Sequence, residues 1–263
     1  VGAARRLGRL LNHATGKMLL VPFDDSLIAG PRGGLENMEA KLRLVFETPP
    51  DAVLGFPGLF VRNGHIVARS AWILNLTAST TVGTHTRKVQ VATVQQAIAL
   101  GCEAVAVHVN VTSRYEPEML ETLGRVVGEA NGQGMPVLGI VYPRSEGADG
   151  SDDNHTVMRD ANAVEYAELI AHSCRLAVEL GVDLVKTQYS GHPETFRQVV
   201  QAASPVPVLI AGGPMVSEKD ACRLARDAMQ SGAAGVSFGR NVFGREDPRG
   251  LLLALREIIH GET

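Results

Sequence analysis

Apolar residues along this chain gather into short, nearly continuous runs, and between those runs the hydrophobic positions recur at helical spacing. Three junctions repeat one design: Ala97-Ile-Ala-Leu-Gly101 before Ala104-Val-Ala-Val-His-Val-Asn110, Ala177-Val-Glu-Leu-Gly181 before Asp183-Leu-Val-Lys186, and Ala228-Met-Gln-Ser-Gly232 before Gly235-Val-Ser-Phe238. In each, a glycine ends a helix by taking the left-handed conformation at little cost. The apolar run that follows is what a strand buried on both faces looks like. The pattern therefore predicts helices feeding parallel strands, with strands at 18–24, 52–56, 73–76, 104–110, 137–142, 184–188, 208–211 and 235–238. About eight such units make a (β/α)8 TIM barrel. An open doubly wound sheet is the alternative fold, but no GxGxxG turn follows the first strand. The stretch 65–88 has mixed periodicity and fits neither a strand nor a helix cleanly, and Gly55-Phe-Pro-Gly58 blurs the end of the second strand.

Composition narrows the class. A chain of 263 residues with 45% hydrophobic content suits one large barrel, read here as a single domain over 1–263, with an amphipathic helix at about 1–15 closing one end. A net charge of −3 gives no general attraction to nucleic acid or to an anionic membrane surface, so the expected partner is a small molecule. No apolar run approaches a membrane span, and the arginine-bearing start lacks the apolar middle of a signal peptide. Three cysteines without CxxC spacing suit reduced thiols in the cytoplasm. A long polar segment, 144–160, follows the fifth strand and is expected on the catalytic face as a lid or an oligomer contact.

In a barrel, chemistry sits where strands end, so polar residues closing apolar strands carry the functional signal. Lys186 ends Gly-Val-Asp-Leu-Val-Lys, where it is either ion-paired with a neighbouring strand carboxylate or a reactive amine for carbonyl addition. Tyr142 ends Leu138-Gly-Ile-Val-Tyr just before Pro143, expected to break the ladder there, and either packs the barrel or moves a proton to and from an aldol hydroxyl. Asp24 is an N-cap, the structural partner of Lys186, or a proton shuttle. Strand alternation puts Leu138, Ile140 and Tyr142 on one face, Leu184, Lys186 and Gln188 on another, and Ala106, His108 and Asn110 on a third, all able to face the barrel interior. His108 reads as an interior histidine more than a ligand, because no second histidine stands at metal spacing; nothing in the sequence asks for a metal. Gly212 and Gly213 after the seventh strand, and Gly239 with Arg240 after the eighth, form the expected phosphate site.

These residues resemble a known family, the archaeal-type class I fructose-bisphosphate aldolases and the related aminodideoxyheptulosonate synthases. The resemblance runs from about residue 19 to 260. It is carried by Val-Pro-Phe-Asp24, His108-Val-Asn110 with Tyr115-Glu-Pro-Glu-Met-Leu120, Tyr142-Pro-Arg144, Asp183-Leu-Val-Lys-Thr-Gln-Tyr189, Ile210-Ala-Gly-Gly-Pro214 and Gly235-Val-Ser-Phe-Gly-Arg-Asn-Val-Phe243. It implies a Schiff base on Lys186 with Tyr142 as proton donor and Asp24 as acid/base, and it places Gly212, Gly213, Gly239 and Arg240 around a phosphate. It also implies no cofactor and a homo-oligomer, a decamer of pentameric rings. Asn110, His108, Arg144 and Gln188 are the remaining expected substrate contacts. The match is closer to the heptulosonate synthases, whose bacterial relatives join a three-carbon ketose phosphate to aspartate semialdehyde. A fructose-1,6-bisphosphate aldolase is the alternative. It would need a further cation for a second phosphate, and only Arg144 offers itself. A catalytically silent sugar-phosphate-binding barrel is the reading from another class. The chain departs from the family at Asp24-Asp25-Ser26, where Asp-His-Gly is usual, and at Tyr189-Ser-Gly-His-Pro193, where Tyr-Thr-Gly-Asp-Pro is common.

Overall fold

The computed structural model describes residues 2–149 and 151–261. Val1, Gly150, Glu262 and Thr263 lie outside the described residues, so the expected N-terminal helix and the expected 144–160 loop each lose one position. Among the described residues, eight parallel strands close into a barrel in chain order: β1 Met18–Pro22, β2 Ala52–Gly55, β3 Ala71–Asn75, β4 Ala104–Val111, β5 Val137–Pro143, β6 Leu184–Thr187, β7 Val208–Ala211 and β8 Gly235–Ser237. Helices lie between them, and β8 returns to pair with β1 through Met18↔Gly235 and Leu20↔Ser237.

Alternation along the strands sorts the core into two compartments. Met18, Leu20, Leu54, Ile73, Ala104, Ala106, Leu138, Ile140, Leu184 and Leu209 fill the barrel interior, and Leu10 from the helix Gly2–Leu10 joins them, with Leu7 and Leu11 beside it. The N-terminal helix thus plugs the end of the barrel opposite the strand C-termini. The outward residues, such as Val21, Val53, Val105, Val107, Val137, Val185, Ile210 and Val236, pack against Leu42, Leu123, Ile170, Phe196 and Leu251 of the surrounding helices. Their β-branched side chains suit the half of each strand that meets a helix. Among the described residues no helix is long and apolar enough to cross a membrane.

Three local features differ from the expectations. Pro143 does not stop the β5 ladder: Val111↔Pro143 is in register, and the Arg144 N–H donates to Val111 O (2.9 Å). Alternate residues of a parallel strand serve a given neighbour, so a missing N–H between Tyr142 and Arg144 is tolerated. The ambiguous stretch 65–88 resolves into the end of helix Pro57–Val67, strand β3, and an excursion closed by an antiparallel pairing of Thr77–Ala78 with Val89–Gln90. The polar segment after β5 holds its own small pairing, Ser145–Glu146 with Asp152–Asp153, followed by helix Thr156–Ala161.

The N-terminal end of the barrel is fastened by His260, the last residue of helix Arg249–His260. Its side chain is fully buried, its Nε2 lies 2.9 Å from Asp51 Oδ2, and its Nδ1 lies 3.0 Å from Thr15 Oγ1. Asp51 Oδ2 also accepts from the Leu19 N–H (2.6 Å). The Thr15–His260–Asp51 arrangement has the outline of a catalytic triad, but it sits at the wrong end of the barrel and ties the last helix to β1 and β2. His260→Ala leaves a partly buried carboxylate short of a donor and should lower stability by about 1–3 kcal/mol in urea unfolding. Turnover should be unchanged, because the strand C-termini are at the opposite end.

Candidate active site

The strand C-termini open on a cavity of about 1060 Å³, lined among others by Asp24, His108, Tyr142, Lys186 and Gln188. Lys186 is 6% exposed and lies on the same face of β6 as the interior residue Leu184. No carboxylate of the described residues comes within 4.0 Å of its amine, so the ion-pair reading of Lys186 finds no partner. Tyr142, two positions on from Ile140, packs on the interior core and edges onto His108 with ring centroids 4.9 Å apart. Asp24 stands just past β1 at the start of helix Asp25–Ile28, yet its side chain makes no cap hydrogen bond and instead accepts from Asn75 Nδ2 (3.1 Å). Burial pushes Asp24 above the usual carboxylate range. Lys186 pulls it back, Asp25 raises it further, and the backbone and Asn75 lower it.

Across the cavity mouth, the loops after β7 and β8 form a cradle built from backbone. Gly213 takes a left-handed φ of +64°, and a side chain at Gly212 would come within 2.7 Å of Phe238. The fully buried Asn241 locks the two loops together: its Nδ2 donates to Gly212 O (2.9 Å) and Pro214 O (3.2 Å), and its Oδ1 accepts from the Val216 N–H (2.9 Å). Gly239 and Arg240 line the cavity beside them, as does Ser237, whose buried Oγ has no hydrogen-bond partner. Ser237 was not singled out from the sequence, where it reads as one more strand residue. Arg240 is half exposed and lies 3.6 Å from Asp25 through its Nε, so the departure at Asp25 reaches the cradle. Ser26 and His192 do not line the cavity. His192 caps helix Pro193–Ala203 by accepting from the Glu194 N–H (3.4 Å).

The opposite wall comes from the excursion between β3 and β4, and here the structure corrects the sequence reading. Asn110, expected to touch substrate, is fully buried and does not line the cavity. The excursion covers it, and its Nδ2 donates to Thr86 O (2.7 Å), holding the segment that carries His85 and Lys88. Neither His85 nor Lys88 stood out from the sequence, because no strand alternation governs residues 79–88. Lys88 is 4% exposed and donates to Ser79 Oγ (2.6 Å). Burial, reinforced by Arg144, pushes its amine down to about 7, against the pull of Asp24, Asp152 and Asp25. Burial likewise pushes His85 down to about 3, with Lys88 and Arg144 adding to the effect, and takes His108 well below its ordinary value. Arg144 joins the wall through Nη1 to His85 Nε2 (3.0 Å) and Nε to Asn154 Oδ1 (2.8 Å). Gln188 completes it, donating to Asn154 Oδ1 (3.3 Å) and accepting from the Tyr166 hydroxyl (2.8 Å). Asp152, Asn154 and Arg159 place the segment after β5 on the cavity rim. Among the described residues, no group of three or more His, Cys, Asp or Glu is placed to hold a metal ion.

Carbonyl addition needs a lysine amine that is not locked in an ion pair, and this barrel mouth withholds a carboxylate from the lysine it buries. Fold and site together define a class I, Schiff-base-forming aldolase. Within that class the chain belongs to the DeoC/LacD family of aldolases, which matches residues 18–245. It is 36% identical over 263 residues to the 2-amino-3,7-dideoxy-D-threo-hept-6-ulosonate synthase of Halobacterium salinarum, covering 100% of this chain and 93% of that protein. It is 32% identical to the 2-amino-4,5-dihydroxy-6-oxo-7-(phosphonooxy)heptanoate synthase of Streptomyces griseus, over 97% of this chain and 89% of that one. Among solved structures, an archaeal fructose 1,6-bisphosphate aldolase superposes with a TM-score of 0.85 at 29% identity, covering 99% of this chain and 100% of that one.

Two expectations follow from the site's charges. If ionised Asp24 is needed, activity falls as pH drops through its raised pKa, so the acid limb of the rate profile lies above the ordinary carboxylate range. Asp25→Asn removes a charge that raises Asp24, and the acid limb should move to lower pH; an unmoved limb would remove Asp24 from the titrating step. Lys88→Met should stabilise the protein, since it removes a buried charge that the unfolded chain holds more easily. Because the folded amine titrates at about 7 and the ordinary value is 10.5, the gain should be full below pH 7 and fade toward 10.5, as read by thermal unfolding across pH.

Proposed function

We propose that this enzyme forms or cleaves the bond between a phosphorylated ketose and an aldehyde through an imine on Lys186, the acceptor being an amino-acid aldehyde such as aspartate semialdehyde. One observation carries the reading: an amine 6% exposed, with no carboxylate within 4.0 Å among the described residues, shares a cavity with a glycine-built cradle on one side and a cation-bearing wall on the other. The Lys186 amine adds to the ketose carbonyl, and loss of water from the carbinolamine gives the imine. Asp24 moves the protons of that dehydration, a role that its raised pKa suits. Removal of a proton from the carbon next to the imine gives an enamine. That carbon attacks the aldehyde, and the Tyr142 hydroxyl protonates the oxygen that becomes the new hydroxyl. Water then releases the product and restores the amine.

The ketose phosphate would lie against Gly212, Gly213, Gly239 and Arg240, where neither the Gly213 nor the Gly239 N–H bonds to another described group. The Streptomyces griseus relative's name describes a product with an amino group at one end and a phosphonooxy group at the other, which matches a cavity with two unlike ends. Two further solved relatives support the imine chemistry. One, at 28% identity and a TM-score of 0.84, is a Schiff base forming fructose-1,6-bisphosphate aldolase whose reaction intermediates have been analysed structurally. The other, at 27% and 0.83, has its catalytic lysine covalently bound to the carbinolamine intermediate. We propose no metal and no separate cofactor. A cytoplasmic setting suits the three buried free cysteines, and a homo-oligomer remains part of the reading, checked by light scattering.

Fructose-1,6-bisphosphate aldolase is the second reading. Lys88 favours it, because it joins Arg144 as the further cation that the sequence did not reveal. Borohydride added with dihydroxyacetone phosphate should inactivate the enzyme and leave an adduct that mass spectrometry maps to Lys186, while EDTA has no effect. An adduct on another lysine, or activity lost to EDTA and restored by zinc, would overturn the assignment. Comparing aspartate semialdehyde with glyceraldehyde 3-phosphate as acceptor separates the two readings.

A further inference from the structure

Two cations on this cavity wall, the buried Lys88 and the partly buried Arg144, have spare donors and no carboxylate in contact among the described residues. Lys88 forms one good hydrogen bond, to Ser79 Oγ (2.6 Å). Its other neighbour, His85 Nδ1 at 3.4 Å, is not an acceptor in the one tautomer that satisfies the network. His85 Nε2 accepts from Arg144 Nη1 (3.0 Å), so the ring proton sits on Nδ1 and points to Ser79 Oγ (3.1 Å), while the Ser79 hydroxyl donates to His85 O (2.8 Å). The histidine is therefore a neutral spacer between two cations, and the remaining ammonium protons of Lys88 have no acceptor among the described residues. Arg144 uses Nε and Nη1 and leaves Nη2 without a protein partner among those residues. No carboxylate of the described residues lies within 4.0 Å of either cation. His108 lines the same cavity and is 8% exposed, and its Nε2, itself buried, has no partner among the described residues. Buried charges are normally paired, so a wall left in this condition is suited to an anionic ligand.

Asp152 narrows the kind of anion. Its carboxylate lines the same cavity, and its ion-pair contact is with His85 Nε2 at 3.7 Å, a ring that carries no charge here. A phosphate dianion seated on Lys88 and Arg144 would also face this carboxylate, which acts on both cations through space without touching either. A ligand with a carboxylate for the two cations and an ammonium for Asp152 leaves no charge unpaired. We infer that Lys88, Arg144 and Asp152 form the acceptor subsite and select an aldehyde whose far end is zwitterionic, an α-amino-acid aldehyde. This inference rests on the aldolase reading above and adds the residues that would enforce it.

The test uses the whole enzyme with dihydroxyacetone phosphate as donor and three acceptors: aspartate semialdehyde, succinate semialdehyde, which lacks the ammonium, and glyceraldehyde 3-phosphate. The wild type should prefer aspartate semialdehyde by roughly tenfold or more in kcat/KM over each of the others. Lys88→Met should raise KM for both carboxylated aldehydes by about tenfold or more, and KM for the donor by less than about threefold, a split that general misfolding would not produce. Asp152→Asn should bring the preference for aspartate semialdehyde over succinate semialdehyde to within about twofold. A wild-type preference for glyceraldehyde 3-phosphate, or an Asp152→Asn enzyme that keeps the amino-acid preference, would overturn the inference. Borohydride trapping with donor alone separates the two levels. A Lys186 adduct with flat acceptor preferences defeats only the subsite, whereas the absence of any Lys186 adduct defeats the aldolase assignment and the subsite with it.

Discussion

The organisation of this protein depends on keeping basic side chains in a low-dielectric barrel mouth without giving them carboxylate partners. Lys186 and Lys88 are 6% and 4% exposed, and neither has a carboxylate within 4.0 Å among the described residues. An isolated ammonium in such a place is costly, and the rest of the fold can be read as the means of tolerating it. The barrel interior below is aliphatic and sealed by Leu10, so the charges sit at the open end where substrate and solvent reach them. Asp24 and Asp25 lower the cost through space without forming contact pairs with either lysine. The histidine between Lys88 and Arg144 stays neutral, so two like charges share a wall without a third between them.

Much of this was readable in the chain because strand period and barrel geometry are local rules. The eight strands fall where the apolar runs put them, and alternation correctly pointed Lys186, Tyr142 and His108 to one space, because each shares a face with an interior leucine, isoleucine or alanine. The same rule failed for Asn110, two residues beyond His108, since what covers a strand end depends on a segment from elsewhere in the chain. Lys88 was illegible for the converse reason. It lies on an excursion whose placement is set by the Thr77–Ala78 and Val89–Gln90 pairing and by Asn110 gripping Thr86, neither of which has a periodic signature. Ser237 was overlooked because a small hydroxyl in a strand matters only once its surroundings leave it unpaired.

The two departures from the family pattern also separate once geometry is available. His192 is exposed and serves a helix N-terminus by accepting from a backbone N–H, a task that aspartate also performs. Asp25 is different. It stands 3.6 Å from Arg240 and within electrostatic reach of Asp24, so one residue acts on both the cradle and Asp24. An anion seated in the proposed cradle would compete with Asp25 for the guanidinium, so its recognition would lean on backbone N–H groups more than on the arginine's full charge.

That difference gives the two ends of the cavity different capacities for change. The cradle is fixed by backbone conformation, by the absence of a Cβ at Gly212, which would come within 2.7 Å of Phe238, and by the buried Asn241 that bonds both loops. Few substitutions there leave the loops where they are, so the shape of the cradle is built into the fold. The opposite wall is made of side chains on an excursion and on the segment after β5, neither of which belongs to the barrel. Lys88 and Asp152 carry the charge of this wall, and neither belongs to a barrel strand. With the proposed subsites, a single scaffold would hold its donor constant and vary its acceptor, which fits a chain similar both to an amino-heptulosonate synthase at 36% identity and to a fructose-bisphosphate aldolase at 29%.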